Sequence, residues 1–207
     1  MSRYRTRSWR AFEPGAARAP AYTLSAQVAG LRILGLDPGS RRTGYGVIER
    51  RGADWVHVVH GCVTVAAPQE SLPERLRVIF ESLRELIATH VPGEVAIERV
   101  FVNRNVDSAL KLGQARGAAL CAVPKGLPVF EYAPRAIKLA LVGSGAAEKV
   151  QVAHMIRTLL GLPGRISPDA ADALAVAVCH AHTRRLHELA VQAERSAMPD
   201  AAPSYPR

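Results

Sequence analysis

The sequence has little cysteine and no long apolar run. Its three cysteines, Cys62, Cys121 and Cys179, lie too far apart for a Cys-x-x-Cys pair, so neither a disulfide framework nor a thiolate zinc site is predicted. We expect all three to be small buried residues in a reducing compartment. No apolar stretch approaches the roughly 18 to 20 residues that span a bilayer, and the first residues lack the apolar core of a secretory signal. These absences favour a folded protein of the cytoplasm.

Lysine is also scarce, although the chain is strongly basic. Only four of its 27 cationic residues are lysine and the other 23 are arginine; against 18 acidic residues they give a formal net charge of +9 over 207 residues. Such a balance favours a polyanionic partner such as nucleic acid. Solvated arginines in an arginine-biased sequence are the alternative explanation. The content of 48% hydrophobic and 22% charged residues is typical of one folded domain and not of a disordered chain.

Composition divides the chain into three segments. Residues 1–30 carry five arginines against one acid, with Pro, Gly and Ala throughout, which predicts a flexible basic extension. This extension is either an arm that helps to hold DNA or an addition produced by an upstream start codon. Residues 196–207 contain three prolines and are predicted to form a disordered tail. The globular domain is then residues 31–195.

Within this domain the apolar pattern changes repeatedly between the strand period and the helix period. A capping-box spacing, Ser71 with Glu74, starts the first helix, and Ser167 followed by Pro168 starts the last one, which is predicted to end near Glu194. Strands first and then strands alternating with helices predict an α/β fold, with helices on both faces of a mixed sheet. The predicted strands are 31–37, 44–49, 55–65, 94–98 and 128–132, and the other helices are 106–123, 134–142 and 147–160.

Two acidic residues end apolar strands of this pattern. Asp37 follows Leu34–Leu36, and Glu98 follows Val95–Ile97. Either residue alone is explained as well by a turn. Functional groups nevertheless collect at the carboxyl ends of strands in open α/β sheets, so the pair indicates a site there.

Asp169 and Asp172 supply two further carboxylates at the start of the last helix. Three residues apart, they share one helical face near the positive end of the helix dipole. Compensation of that dipole is the alternative explanation, and it accounts for one acid better than for two. If all four acids converge, they repel one another unless cations lie between them, and a donor set made only of oxygen selects Mg²⁺ or Mn²⁺. Two such ions suit the hydrolysis of a phosphodiester.

Five strings then identify a family that the sequence resembles. LDPGS at 36–40, TGYGVI at 43–48, AIERVF at 96–101, DSALKLGQARG at 107–117 and DAADALA at 169–175 closely resemble the RuvC family of crossover (Holliday) junction endodeoxyribonucleases. The resemblance spans about residues 31–182. It implies a ribonuclease-H-like, three-layer α/β/α fold with a five-stranded mixed sheet. It also implies a homodimer that nicks two strands of like polarity symmetrically across a four-way DNA junction, in recombination and repair, downstream of the branch-migration proteins RuvA and RuvB.

The resemblance also assigns roles to individual residues. The catalytic acids and metal ligands would be Asp37, Glu98, Asp169 and Asp172, with two Mg²⁺ or Mn²⁺ ions per site. Some family members have His where this chain has Asp169, and Asp here keeps the donor set all oxygen. Residues near the dimer interface would include Gln114 and Arg116. The DNA-contacting residues would be Phe101, which stacks on bases, with Arg104, Lys138 and Lys149, although an aromatic residue is more often core and a helix lysine is more often only solvated.

Two other functions remain open from the sequence. Asp-Pro-Gly-Ser followed by Thr-Gly-Tyr-Gly resembles the phosphate loop of actin-like sugar kinases, which would make the protein a nucleotide-dependent phosphotransferase. The chain is short for the two domains that such a kinase needs, and four carboxylates exceed what one Mg-ATP requires. The other alternative is a non-catalytic junction-binding protein whose acids only hold structure.

Overall fold

The computed structural model describes residues 30–65, 71–100 and 105–197. Nearly all of the predicted basic extension and most of the predicted tail lie outside the described residues. The described elements are β1 (Arg32–Asp37), β2 (Arg42–Arg51), β3 (Asp54–Thr64), α1 (Leu72–His90), β4 (Glu94–Glu98), α2 (Val106–Ala122), β5 (Val129–Tyr132), α3 (Pro134–Val142), α4 (Lys149–Leu159) and α5 (Pro168–Ala197).

The five strands form one mixed sheet in the order β3-β2-β1-β4-β5. β2 pairs antiparallel with both β1 and β3, whereas β4 is parallel to β1 and to β5. This arrangement confirms the predicted α/β fold with a five-stranded mixed sheet. β2 is longer than predicted because its end residues Arg42 and Arg51 also pair with β3. The last helix continues to Ala197, beyond the predicted end near Glu194.

Helices cover both faces of the sheet. Ile33 of β1 packs into a buried cluster with residues of α3, α4 and α5, while the next residue, Leu34, packs with residues of α1 and α2 on the other face. Neighbouring strand residues point to opposite faces, so one apolar strand serves both cores. Complete burial of a side chain such as Leu34 contributes about 1.5–3 kcal/mol. The three-layer arrangement predicted from the resemblance is therefore present.

Two glycines allow α5 to lie directly on the sheet. A Cβ atom at Gly35 of β1 would lie 2.1 Å from the carbonyl oxygen of Ala173, and one at Gly44 of β2 would lie 2.0 Å from the carbonyl oxygen of Asp169. A side chain at either position would push the helix away. These close contacts fix the first turns of α5 over the carboxyl end of β1.

The predicted helix starts are present in the structure. Glu74 Oε2 accepts hydrogen bonds from both the backbone N–H and the hydroxyl of Ser71, each at 2.8 Å. Ser167 Oγ accepts from the backbone N–H of Ala170 at 3.3 Å, so Ser167 caps α5. None of the described helices is long and apolar enough to cross a membrane.

The cysteines do not all match their predicted burial. Cys179 is buried, but Cys62 is only partly buried and Cys121 is exposed. The buried residues of α2, Ala115, Ala119 and Ala122, form one stripe along the helix, and Cys121 lies outside this stripe. The prediction for Cys121 was wrong because the small residues of α2 do not show from sequence which face meets the sheet.

Candidate active site

Asp37 and Glu98 lie side by side at the same edge of the sheet. β1 and β4 are parallel, and Leu36 is opposite Ile97 in their register, so the two acids are the next residues on neighbouring strands. Both side chains are only partly buried, so each remains open to solvent. The structure thus brings these two predicted residues together.

The first turn of α5 brings Asp169 and Asp172 to the same edge. Gly44, which is packed against the backbone of Asp169, is the antiparallel partner of Asp37. Asp169 therefore lies over the end of the β1–β2 pair. Both Asp169 and Asp172 are close enough to act electrostatically on Asp37. All four predicted acids belong to one cluster.

The cluster shifts the acidity of Asp37 and Glu98. Burial raises the pKa of Asp37 to about 7, and the charges of Glu98 and Asp172 add to this effect, while Lys149 opposes it. Burial and the charge of Asp172 also raise the pKa of Glu98, with Lys149 and Lys138 acting in the opposite direction. Asp37 and Glu98 are harder to ionise because their neighbours carry the same charge and water is partly excluded. Such a cluster attracts cations.

Two basic side chains already neutralise the α5 carboxylates. Lys149 Nζ donates to Asp172 Oδ2 at 2.5 Å, and Arg42 Nε donates to Asp169 Oδ2 at 2.8 Å. The hydrogen bond to Asp172 raises the pKa of Lys149, which stays protonated. In this arrangement no three His, Cys, Asp or Glu residues of the described segments form a group that would hold a metal ion. The four acids still offer only oxygen donors, and the raised pKa values of Asp37 and Glu98 fit a site for a hard divalent cation.

A cleft of about 170 Å³ opens beside the acids, between α3, α4 and α5. Its lining includes Glu98 and Asp172 together with Lys138 and Lys149. The two predicted basic residues thus share a concave site with two of the predicted acids, as a site for a phosphate beside a cation requires. Phe101 and Arg104, the other predicted DNA contacts, lie outside the described residues.

Sequence reasoning missed the residues that border Asp169. Arg42 was not predicted to belong to the site, and neither was Cys62, whose Sγ lies 3.9 Å from Asp169 Oδ2. A signal for Arg42 was present in the hairpin, because Gly44 pairs with Asp37 and residue 42 is on the same face of β2 as residue 44.

Arg116, predicted near a dimer interface, makes contacts within its own chain. It donates to the backbone oxygen of Glu98 at 3.4 Å and to Glu131 Oε1 at 2.6 Å. Gln114, two residues earlier on α2, is exposed. Arg116 therefore links α2 to β4, the strand that carries the candidate catalytic residue Glu98, and to Glu131 of β5.

Comparison with known proteins gives a consistent family. A family model described as "Crossover junction endodeoxyribonuclease RuvC" matches residues 33–180. A protein of that name from Alkalilimnicola ehrlichii is 58% identical over 152 residues, which are 73% of this chain and 91% of the relative. Another from Methylococcus capsulatus is 54% identical over 155 residues, 74% of this chain and 92% of the relative.

Solved structures agree with the sequence relatives. The structure described as Thermus thermophilus RuvC in complex with Holliday junction substrate is 37% identical, with a TM-score of 0.71, over 76% of this chain and 96% of that one. The yeast mitochondrial Holliday junction resolvase Ydc2, 11% identical with a TM-score of 0.56 over 79% of this chain and 86% of that one, shares the fold. Since the family match covers most of the chain and relatives more than half identical are covered over nearly their whole length, this chain belongs to the RuvC family of crossover junction endodeoxyribonucleases.

Proposed function

We propose that this protein is a structure-specific endonuclease that resolves four-way DNA junctions. It nicks two strands of like polarity, symmetrically, in recombination and DNA repair in the cytoplasm. The single observation that carries this proposal is the cluster of Asp37, Glu98, Asp169 and Asp172 beside a cleft with two lysines, in a chain of the RuvC family. The net charge of +9 supports a DNA substrate.

Two Mg²⁺ or Mn²⁺ ions per site are part of this proposal. The residues that would hold them are the four clustered acids Asp37, Glu98, Asp169 and Asp172. When bound, such ions supply the Lewis acidity that phosphodiester hydrolysis needs. The donor chemistry supports this choice, because all four residues offer hard carboxylate oxygens.

The chain's own residues bind and orient the DNA backbone. Lys138 and Lys149 line the cleft next to Glu98 and Asp172, where they attract a phosphate and balance its charge during displacement. In this displacement a water oxygen forms a bond to phosphorus while the bond from phosphorus to the leaving sugar oxygen breaks. Lys149 must share its donors between Asp172 and the phosphate, because it is already bound to Asp172. Phe101 and Arg104 are proposed as further DNA contacts.

We also propose that the protein acts as a homodimer together with RuvA and RuvB. Two symmetric cuts require two active sites, and a two-fold dimer supplies them. Val106 and Leu110, one turn apart on α2, are large apolar residues and both are exposed. The exposure of these two apolar residues supports an interface with a second copy at this helix.

A labelled synthetic junction tests the proposed function. The purified protein is incubated with the four-way junction in Mg²⁺, in Mn²⁺ and in chelator, and a linear duplex of the same sequence is the control. Paired symmetric nicks in the junction alone, lost in chelator, are the expected result. Junction binding without nicking in either metal would contradict the enzymatic function and favour a binding protein, and ATP binding without affinity for the junction would favour a phosphotransferase.

A further inference from the structure

Two histidines form a close pair on β3, outside the acidic cluster. His60 Nδ1 lies 2.7 Å from His57 Nε2, and the ring centroids are 4.8 Å apart with an interplanar angle of 57°. Both side chains are partly exposed, and β3 is the end strand of the described sheet. The pair is therefore reachable from solvent.

An irregularity in β3 creates this pair. Residues three apart on a regular strand point to opposite faces of the sheet. Here Val47 pairs with Val59 and Ile48 pairs with His57, so Val58 is an extra residue in β3, a β-bulge. The bulge turns His57 and His60 to the same face, where a regular strand would separate them.

The paired rings have the chemistry of a metal-binding site. Burial lowers the pKa of His57, and the nearby His60 lowers it further, so His57 stays neutral under ordinary conditions. A neutral imidazole has one nitrogen with a free electron pair, and it is the commonest ligand for transition metals. Of the two facing nitrogens, His57 Nε2 and His60 Nδ1, one carries the proton of their hydrogen bond. When this proton moves to the other nitrogen of the same ring, both facing nitrogens have a free electron pair for a metal ion.

We propose that His57 and His60 together bind one borderline divalent transition metal ion, of the class Zn²⁺, Ni²⁺ and Cu²⁺. Bond lengths of about 2.0–2.1 Å at a tetrahedral angle place two ligand nitrogens about 3.3 Å apart, so the rings need to separate by only about half an ångström. Water completes the coordination, because no group of three or more His, Cys, Asp or Glu among the described residues would hold a metal. This site is chemically distinct from the carboxylate cluster, which prefers hard cations.

Copper(II) is the sharpest probe, because it binds nitrogen ligands more strongly than the other divalent ions of this series. The full chain, without an added histidine tag and freed of metal, is titrated with Cu²⁺ by calorimetry, and electron paramagnetic resonance counts the nitrogen ligands. We expect one equivalent of Cu²⁺ with two nitrogen ligands. His57→Gln and His60→Gln should each weaken this binding at least about tenfold, whereas His154→Gln, at an exposed position on α4, should leave it unchanged.

The same experiment can overturn the proposal. Equal Cu²⁺ affinity in the wild-type protein and the His57→Gln variant would show that the two rings are only a hydrogen-bonded pair. A resonance spectrum with only oxygen ligands, measured on the wild-type protein, would overturn the metal site even if a variant failed to fold. A thermal unfolding scan adds an independent measurement, since Cu²⁺ should raise the midpoint of the wild-type protein and not that of His57→Gln.

Discussion

Strand β4 begins with Glu94 and ends with Glu98, and the surroundings of these two glutamates shift their pKa in opposite directions. At the first residue, Glu94 accepts from His180 Nε2 at 2.7 Å and from Arg184 Nε at 3.0 Å. Burial acts to raise its pKa, but these two hydrogen bonds outweigh burial and lower it. At the last residue, burial and the charge of Asp172 raise the pKa of Glu98. Glu94 is thus stabilised as a carboxylate by its partners, whereas Glu98 is destabilised as a carboxylate, which favours the cation that we propose there.

The surroundings of Glu94 strengthen this comparison. Its partner His180 is buried, its Nδ1 is hydrogen-bonded to the hydroxyl of Tyr132 at 2.6 Å, and its ring stacks on Phe130 at 4.3 Å between centroids. Every polar atom of this imidazole is thus occupied, and the network joins β4, β5 and α5. Polar groups that are buried and fully hydrogen-bonded rigidify a structure. The acidic cluster at the other end instead keeps Glu98 beside the like charge of Asp172.

The largest expected effect is on catalysis, from a change at the Glu98 end. Glu98→Gln keeps the shape of the side chain but removes a charge that the proposed site needs. We expect cleavage of the four-way junction to fall by about a thousandfold or more, which corresponds to about 4 kcal/mol, while junction affinity is kept. Asp37→Asn should behave in the same way. Rate measurements at saturating protein with a labelled junction test this.

The matched control is Glu94→Gln, at the other end of the same strand. It should cleave at the wild-type rate per folded molecule, because Glu94 lies away from the cluster. If Glu98→Gln kept full cleavage, or if Glu94→Gln lost it at a temperature where it is folded, the functional division of β4 would be wrong.

The second largest expected effect is on the free energy of unfolding, and here Glu94→Gln should have the larger effect and Glu98→Gln the smaller one. Glu94→Gln removes the carboxylate that accepts from the buried His180 and from Arg184, so we expect it to lower the free energy of unfolding by about 2–4 kcal/mol. Glu98→Gln should leave it unchanged or raise it in chelator, because like charges are removed. Urea unfolding followed by circular dichroism compares the two variants. Equal destabilisation by both would refute the proposed contrast.

The third effect is a pH dependence of the metal-free protein. The pKa of Asp37 is raised from 3.8 to about 7, so between these values the folded state binds more protons than the unfolded state. Stability therefore falls as the pH rises from about 4 to about 7. Asp37→Asn removes this loss, and in chelator it should be more stable than the wild-type protein at pH 8 by on the order of 4 kcal/mol and close to it at pH 4.

Glu94 gives the opposite sign in the same scan. Because its pKa is lowered in the folded state, its contribution to stability is complete above its ordinary value and is lost as the pH falls through the folded pKa. The difference between wild type and Glu94→Gln should therefore shrink in acid. A gap that grew below pH 4 would contradict the assigned hydrogen bonds.

The two ends of β4 also differ in how far sequence predicts them. Asp37 and Glu98 follow short apolar runs, and Ser167 with Pro168 marks the start of α5, so local patterns were sufficient to propose the acidic cluster. The Glu94–His180 contact joins residues 86 apart in sequence, and it depends on where α5 crosses the sheet. Side-chain partners of this kind follow from packing and not from periodicity.

Two further features were not predicted from the sequence, because they too do not follow from its periodicity. The extra residue Val58 has no distinct sequence signal, since β3 is rich in valine on both sides of it, and yet it decides that His57 and His60 meet. The exposed position of Cys121 depends on which side of α2 meets the sheet, and the run of small residues leaves that open. Regular elements were predictable, whereas irregularities and the rotation of a weakly amphipathic helix were not.

The smallest expected effect tests whether the side chain of Arg42 takes the place of a bound metal ion beside Asp169. The Arg42 side chain is 51% exposed and that of Asp169 is 29% exposed, so their ion pair is screened by water and is worth about 0.2–1 kcal/mol. In chelator, Arg42→Gln should lower the free energy of unfolding by this amount, because Asp169 loses its neutralising partner. In saturating Mg²⁺ or Mn²⁺ the difference should vanish, since a divalent cation then offsets the charge of Asp169.

Arg51→Gln, which removes an exposed arginine from Glu49 at the other end of β2, is the matched control, and its effect should be independent of the metal. Equal metal dependence in both variants would mean that Arg42 forms only a surface ion pair and that the electrostatic strain of the cluster is confined to Asp37 and Glu98.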